Sequence, residues 1–229
     1  PVTMTAMNAP ASTVVPIFAV PFAGVQLAGA SALNGALAAL LAERATEAHR
    51  DPDAPRDPLC YRSREVLFDW QDDAVAGLRG EMLAGLCTAV MAANLYSEAE
   101  FDALGVQVRA RFVIVRPDGC LPAANVPLAS WYAIYCVAAP PPAPVRADSG
   151  VLRLYALRQA TMFMDAANWR LRPPFSAAHH TWRPVPGWMV VFPAAVLHEI
   201  ALNRTEADLV LITARARFAH GGQAAMPPW

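Results

Sequence analysis

From Val106 to Phe218 the sequence reads as a succession of short strands, and this constrains the fold more than any other feature. Val106-Gln107-Val108-Arg109-Ala110-Arg111-Phe112-Val113-Ile114-Val115 alternates at first and then becomes wholly apolar. Trp131 to Val137, Val151 to Tyr155, Trp188 to Phe192, Val196 to Ala201 and Leu209 to Phe218 read as further strands. Turn signals separate them: Pro117-Asp118-Gly119, Pro140-Pro141-Pro142, Ser149-Gly150, Pro186-Gly187 and Asn203-Arg204-Thr205. Short strands with apolar faces bury them by stacking two sheets or closing one, so this half is predicted to be a sandwich or barrel.

The preceding half keeps a helical period. Ser31 is a candidate N-cap for a helix through Glu43, with Leu33, Leu37, Leu40 and Leu41 on one face. A second helix starts near Asp72 or Asp73 and repeats Val75, Leu78, Met82, Leu83, Leu86 and Val90 at helical spacing. Val14 to Phe18 reads as a short strand, Asp51 to Pro58 as an exposed loop, and Glu98 to Leu104 as a helical turn. The expectation is an α+β chain forming one domain over residues 1–229. It has a helical part (1–105), a β core (106–218) and a tail (219–229).

Composition narrows the chemistry. With 55% apolar residues, 16% charged residues and a net charge of −1, the chain lacks the basic field that nucleic acid requires. There is no lysine, which excludes Schiff-base, pyridoxal-phosphate and P-loop chemistry. Cys60, Cys87, Cys120 and Cys136 show no CxxC spacing, and Cys87 and Cys136 read as buried thiols. The apolar stretch from Val14 to Leu41 has no basic flank before it and is interrupted by Pro16 and Pro21. No membrane segment is expected, and the location expected is cytoplasmic.

GxGxxG, GxSxG and HExxH motifs are all absent, leaving histidine and carboxylate chemistry. His49-Arg50-Asp51 has the HxD form of a ligand pair for iron, but it joins a helix end to a Pro-rich loop, where rigid ligand geometry is not expected. His179-His180 reads as solvent-facing, and His220 beside Gly221-Gly222 as part of a mobile tail. His198 differs, because it ends the segment Gly187-Trp188-Met189-Val190-Val191-Phe192-Pro193-Ala194-Ala195-Val196-Leu197-His198.

That segment resembles the G-x-L-x-x-F-P-x-x-x-x-H signature of a bacterial family of 2-oxoglutarate/Fe(II) oxygenases, in which the histidine is the distal iron ligand. Pro16 to Pro21, Leu33 to Leu37, Arg62 to Trp70 and Ser149 to Leu152 resemble further family elements in the same order. The resemblance implies a double-stranded β-helix, a cupin-like jelly roll, with the N-terminal helices packed on it. It also implies that the two remaining ligand positions fall at Ala124 and Val126, neither of which can coordinate iron. The 2-oxoglutarate arginine position falls near Asp208, with Arg204 and Arg215 at other spacings.

The function expected is therefore an oxygenase-like protein that has lost the facial triad. It is read as a repurposed tailoring enzyme acting on a small molecule in its cavity, with no cofactor expected. His198 is the catalytic candidate, as general acid or base, and Asn125, Tyr132 and Tyr135 are substrate-binding candidates. Two alternatives stay open. One is an iron- and 2-oxoglutarate-using dioxygenase with substitute ligands such as His179, His180 or Asp165. The other is a non-catalytic ligand-binding or partner-stabilising pseudoenzyme. A homodimer is a possible assembly; neither nucleic acid nor membrane is expected as partner.

Overall fold

The computed structural model describes residues 19–142, 146–156, 168, 171, 175, 179–220 and 229. The strand expected at Val14 to Phe18 and the substitute ligand Asp165 lie outside the described residues.

Three α-helices, one turn of 3-10 helix at Leu67–Asp69 and ten strands are formed among the described residues. In chain order the α-helices and strands are β1 (Ala23–Gln26), α1 (Ala30–Glu43), β2 (Cys60–Arg62), α2 (Asp73–Ala92), α3 (Glu98–Asp102), β3 (Leu104–Val115), β4 (Leu121–Ala124), β5 (Trp131–Ala138), β6 (Leu152–Leu154), β7 (His180–Trp182), β8 (Trp188–Pro193), β9 (His198–Ile200) and β10 (Leu209–His220). A six-stranded antiparallel sheet runs β1-β8-β5-β10-β3-β2, and a four-stranded sheet runs β4-β9-β6-β7. The two sheets enclose one apolar core, as the jelly-roll reading predicts.

The wholly apolar strand segments follow from this arrangement. Val113, Ile134, Cys136, Val190, Phe192 and Leu211 face the small sheet. Their neighbours Phe112, Ala133, Tyr135, Met189, Val191 and Ile212 face the helical layer. Both faces are covered, so strict alternation disappears. On the helical side Leu37, Leu41, Leu78 and Leu86 are fully buried. Each contributes about 2 kcal/mol by leaving water.

Helix α1 begins at Ala30 with Gly29 as N-cap, two residues before the start that a Ser31 cap implies. α2 begins after Asp72 as expected, while α3 is fixed by a Ser97/Glu100 capping box. α2 is long and apolar enough to cross a membrane by length and composition, and here it buries Val75, Leu78, Met82, Leu86 and Val90. Cys60 and Cys136 are buried, whereas Cys87 is half-buried and Cys120 exposed. His220 ends β10 and bonds Tyr96 at 3.3 Å, which corrects its placement in a mobile tail. The helical N-terminal part also contributes β1 and β2, each too short to show a period, to the edges of the large sheet.

Gly187, which opens the histidine segment, has a backbone reason to be glycine. Its φ is +88°, and a Cβ there would lie 2.9 Å from that of Ala30. Its N–H donates to the Cys136 carbonyl at 2.9 Å, and its own carbonyl accepts from Leu27 at 3.0 Å. Gly187→Ala is expected to destabilise the fold by about 2 kcal/mol through left-handed strain and the clash with α1. Chemical denaturation checks this: the midpoint should fall at unchanged slope.

Candidate functional site

A cavity of about 290 Å³ lies between the two sheets, toward one end of the jelly roll. Strand register builds it. β10 lies between β3 and β5, so Leu211 pairs with Val113 and Cys136, Thr213 with Arg111 and Ile134, and Arg215 with Arg109 and Tyr132. Residues two apart share a face, so the inner surface passes from apolar rows to guanidinium and hydroxyl rows along the same strands.

The charged end is a linked cluster. Glu65 accepts from Arg111 Nε at 3.1 Å and also pairs with Arg215 through its other oxygen. Arg111 Nη1 reaches Asp51 at 2.5 Å. All four side chains are largely buried, with 15–21% of each exposed. Arg62 completes a set of three guanidiniums on the cavity wall. Arg215 Nε is buried with no protein acceptor. A buried donor without a partner is costly unless a ligand supplies the acceptor. Tyr132 donates or accepts with Thr213 beside it, and burial pushes the phenol above its ordinary pKa, so it stays protonated.

His198 stands opposite, on β9. Its Nδ1 lies 2.9 Å from the Val196 carbonyl, which can only accept, so Nδ1 carries the proton and the neutral ring offers its lone pair at Nε2. Tyr132 and Phe192 frame the ring, each at 5.1 Å between centroids. Burial lowers its pKa, opposed by the bond to Val196. Cross-strand, His198 pairs with Ala124 on one side and Leu154 on the other.

Of the residues singled out from sequence, His198, Asn125 and Tyr132 reach this cavity, together with Ala124 and Val126. Ala124 and Asn125 are exposed at its mouth, so these positions do not form a dry interior. Tyr135 is a correction: it lies on the opposite face of β5, and its hydroxyl donates to Asn34 on α1 at 2.6 Å. Asp208 is exposed on the loop before β10, and Arg204 pairs with Asp118 at 2.9 Å outside the cavity, while Arg215 lines it. Spacing counted along the chain misses this because the β9–β10 loop, held by the buried Asn203, sets the register. Arg62, Glu65, Arg111 and Thr213 were not anticipated. The available signal was the arginine alternation in Arg109-Ala110-Arg111 and Arg215-Ala216-Arg217 within apolar strands.

His49 and Asp51 go to different partners: His49 packs edge-on against Trp70, and Asp51 holds Arg111. Among the described residues no three His, Cys, Asp or Glu side chains cluster as a metal site. These residues alone therefore do not fit a metal held by three protein ligands. Arg215, Thr213 and Tyr132 line the cavity together, and a guanidinium beside two hydroxyls is a set that suits a carboxylate.

No protein-family model matches the sequence, and neither does any curated protein. Solved structures do match. A Pseudomonas putida prolyl-4-hydroxylase is 18% identical with a TM-score of 0.57, covering 86% of this chain and 93% of its own. HygX from Streptomyces hygroscopicus, with nickel and 2-oxoglutarate bound, is 12% identical with a TM-score of 0.55, over 89% and 84%. The α-ketoglutarate-dependent carbocyclase SnoK from nogalamycin biosynthesis is 8% identical with a TM-score of 0.60, over 86% and 79%. These likenesses overturn the expectation of no cofactor: HygX holds nickel and 2-oxoglutarate, and SnoK is α-ketoglutarate-dependent. The fold is the double-stranded β-helix of the 2-oxoglutarate/Fe(II) oxygenases.

The lowered pKa of His198 has a definite pH consequence. The unfolded ring titrates near about 6.5 and the folded ring below it, so the unfolded chain binds more protons as the pH falls through that range. Stability contributed at this position is therefore complete above the unfolded pKa and declines as pH falls toward the folded one. NMR titration of His198 should give a midpoint below that of a free imidazole; a midpoint above it would contradict the burial account.

Proposed function

We propose that this chain is an atypical tailoring enzyme of the oxygenase fold, binding 2-oxoglutarate in its jelly-roll cavity and modifying a small molecule beside it. In this reading the facial triad is reduced to His198. The observation that carries the proposal is Arg215, a cation lining the cavity next to Thr213 and Tyr132, whose buried Nε has no protein acceptor. A terminal carboxylate there would take a charge-assisted bond from Arg215 and a hydroxyl bond from Thr213, while Arg111, held by Glu65 and Asp51, adds positive potential. The cavity is at the small end of ligand sites, which suits an oxo acid with part of a substrate.

The chain's own residues then divide the work. Arg215, Thr213 and Tyr132 bind and orient the oxo acid. Asn125, at the mouth, contacts the substrate by its amide. His198, neutral at pH 7, moves a proton at Nε2 or offers that lone pair as a single metal ligand. Were iron held at His198 beside 2-oxoglutarate, it would supply oxygen activation coupled to oxidative decarboxylation of the oxo acid, with a single protein ligand among the described residues.

A second reading, an iron dioxygenase with substitute ligands, is favoured by the His198 tautomer. An Nδ1–H bonded to a backbone carbonyl is the posture of a metal-binding imidazole. Calorimetric titration with 2-oxoglutarate, followed by a succinate assay with added Fe(II), separates the readings. The proposal expects saturable binding that weakens roughly 10- to 100-fold in Arg215→Gln, from the loss of one charge-assisted bond. Iron retained stoichiometrically by purified protein would favour the substitute-ligand reading, and no detectable 2-oxoglutarate binding would sink both.

A further inference from the structure

Outside the cavity, Trp229 makes contacts that the oxo-acid reading leaves unused. Its ring centroid lies 3.9 Å from Arg217 Cζ, 4.4 Å from Arg215 Cζ and 5.7 Å from Arg109 Cζ. Arg109 is the cross-strand partner of Arg215, and Arg217 follows two residues along β10 on the same face. Three guanidiniums thus crowd one corner of the sheet. Glu65 neutralises one side of Arg215, and Arg217 Nε donates to the Leu128 carbonyl. The electron-rich indole face contacts all three cations.

We propose that Trp229 is a positioning residue for the cavity: its indole face and Glu65 together hold the Arg215 guanidinium in place on the cavity wall, with its buried Nε shielded from water. This rests on the reading of the cavity as a carboxylate site. Glu65 fixes the Nη2 corner of the guanidinium plane. One anchored corner leaves the plane free to swing, and stacking on the indole removes that freedom. The carboxylate then meets an oriented donor, so less ordering is lost on binding. Trp229 does not touch the ligand in this account; it acts through Arg215.

The test uses the full chain labelled with ¹⁵N-arginine, comparing Trp229→Leu, which keeps apolar bulk, with Trp229→Phe, which keeps an aromatic face. The Arg215 Nε–H resonance is identified as the signal lost in Arg215→Gln. Its exchange with water, measured without ligand, should quicken about five-fold or more in Trp229→Leu and stay within about two-fold of the parent in Trp229→Phe. The dissociation constant for 2-oxoglutarate should follow the same order. Unchanged exchange in Trp229→Leu, equal acceleration in both variants, or no protected signal in the parent would each overturn the proposal. Protected exchange that depends on the aromatic ring, in a protein that binds no 2-oxoglutarate, would support the positioning role while removing the functional reading beneath it.

Discussion

The site depends on one carboxylate. Glu65, on the segment after β2, is shared between Arg111 on β3 and Arg215 on β10, and Arg111 in turn holds Asp51 from the loop after α1. Four separate parts of the chain are tied at one end of the large sheet by largely buried charges. Removing one member of such a network typically costs about 3–5 kcal/mol, because its partners are left buried without compensation. The same network fixes two guanidiniums on the cavity wall while leaving one donor, Arg215 Nε, without a protein acceptor. Structural need and the proposed ligand affinity therefore fall on the same side chains.

Register converts this local chemistry into a pocket. β3 and β10 pair over their whole length, and the rows they define with β5 change from Val113–Leu211–Cys136 to Arg111–Thr213–Ile134 to Arg109–Arg215–Tyr132. The apolar rows close the jelly roll, and the polar rows open it toward a ligand. The second sheet brings His198 against this surface, and Phe192 and Tyr132 limit how its ring can turn. A shift of one residue in either ladder would exchange the inward and outward sets and put the guanidiniums among the helices.

Much of the fold was legible because hydrophobic periods report burial directly. The strands at β3, β5, β8 and β10 and the helix at Asp73 follow from apolar spacing, and the glycine opening the histidine segment follows from a positive φ against α1. Short edge strands such as β2 and β7 contain three residues each, too few for a period. Tyr135 was assigned to the cavity because it neighbours Tyr132 in sequence, although three positions along a strand reverse the face. The arginine half of the site was legible only as charges inside apolar strands. Glu65, which organises it, has no local signal because its partners lie 46 residues away or more.

The most direct test of this account is a crystal structure of the protein soaked with 2-oxoglutarate. The account predicts one carboxylate of the oxo acid within hydrogen-bond distance of the Arg215 guanidinium and the Thr213 hydroxyl, with the Glu65 pairings to Arg111 and Arg215 unchanged. An oxo acid bound elsewhere, or bound in the cavity with no bond to the Arg215 guanidinium, would contradict it.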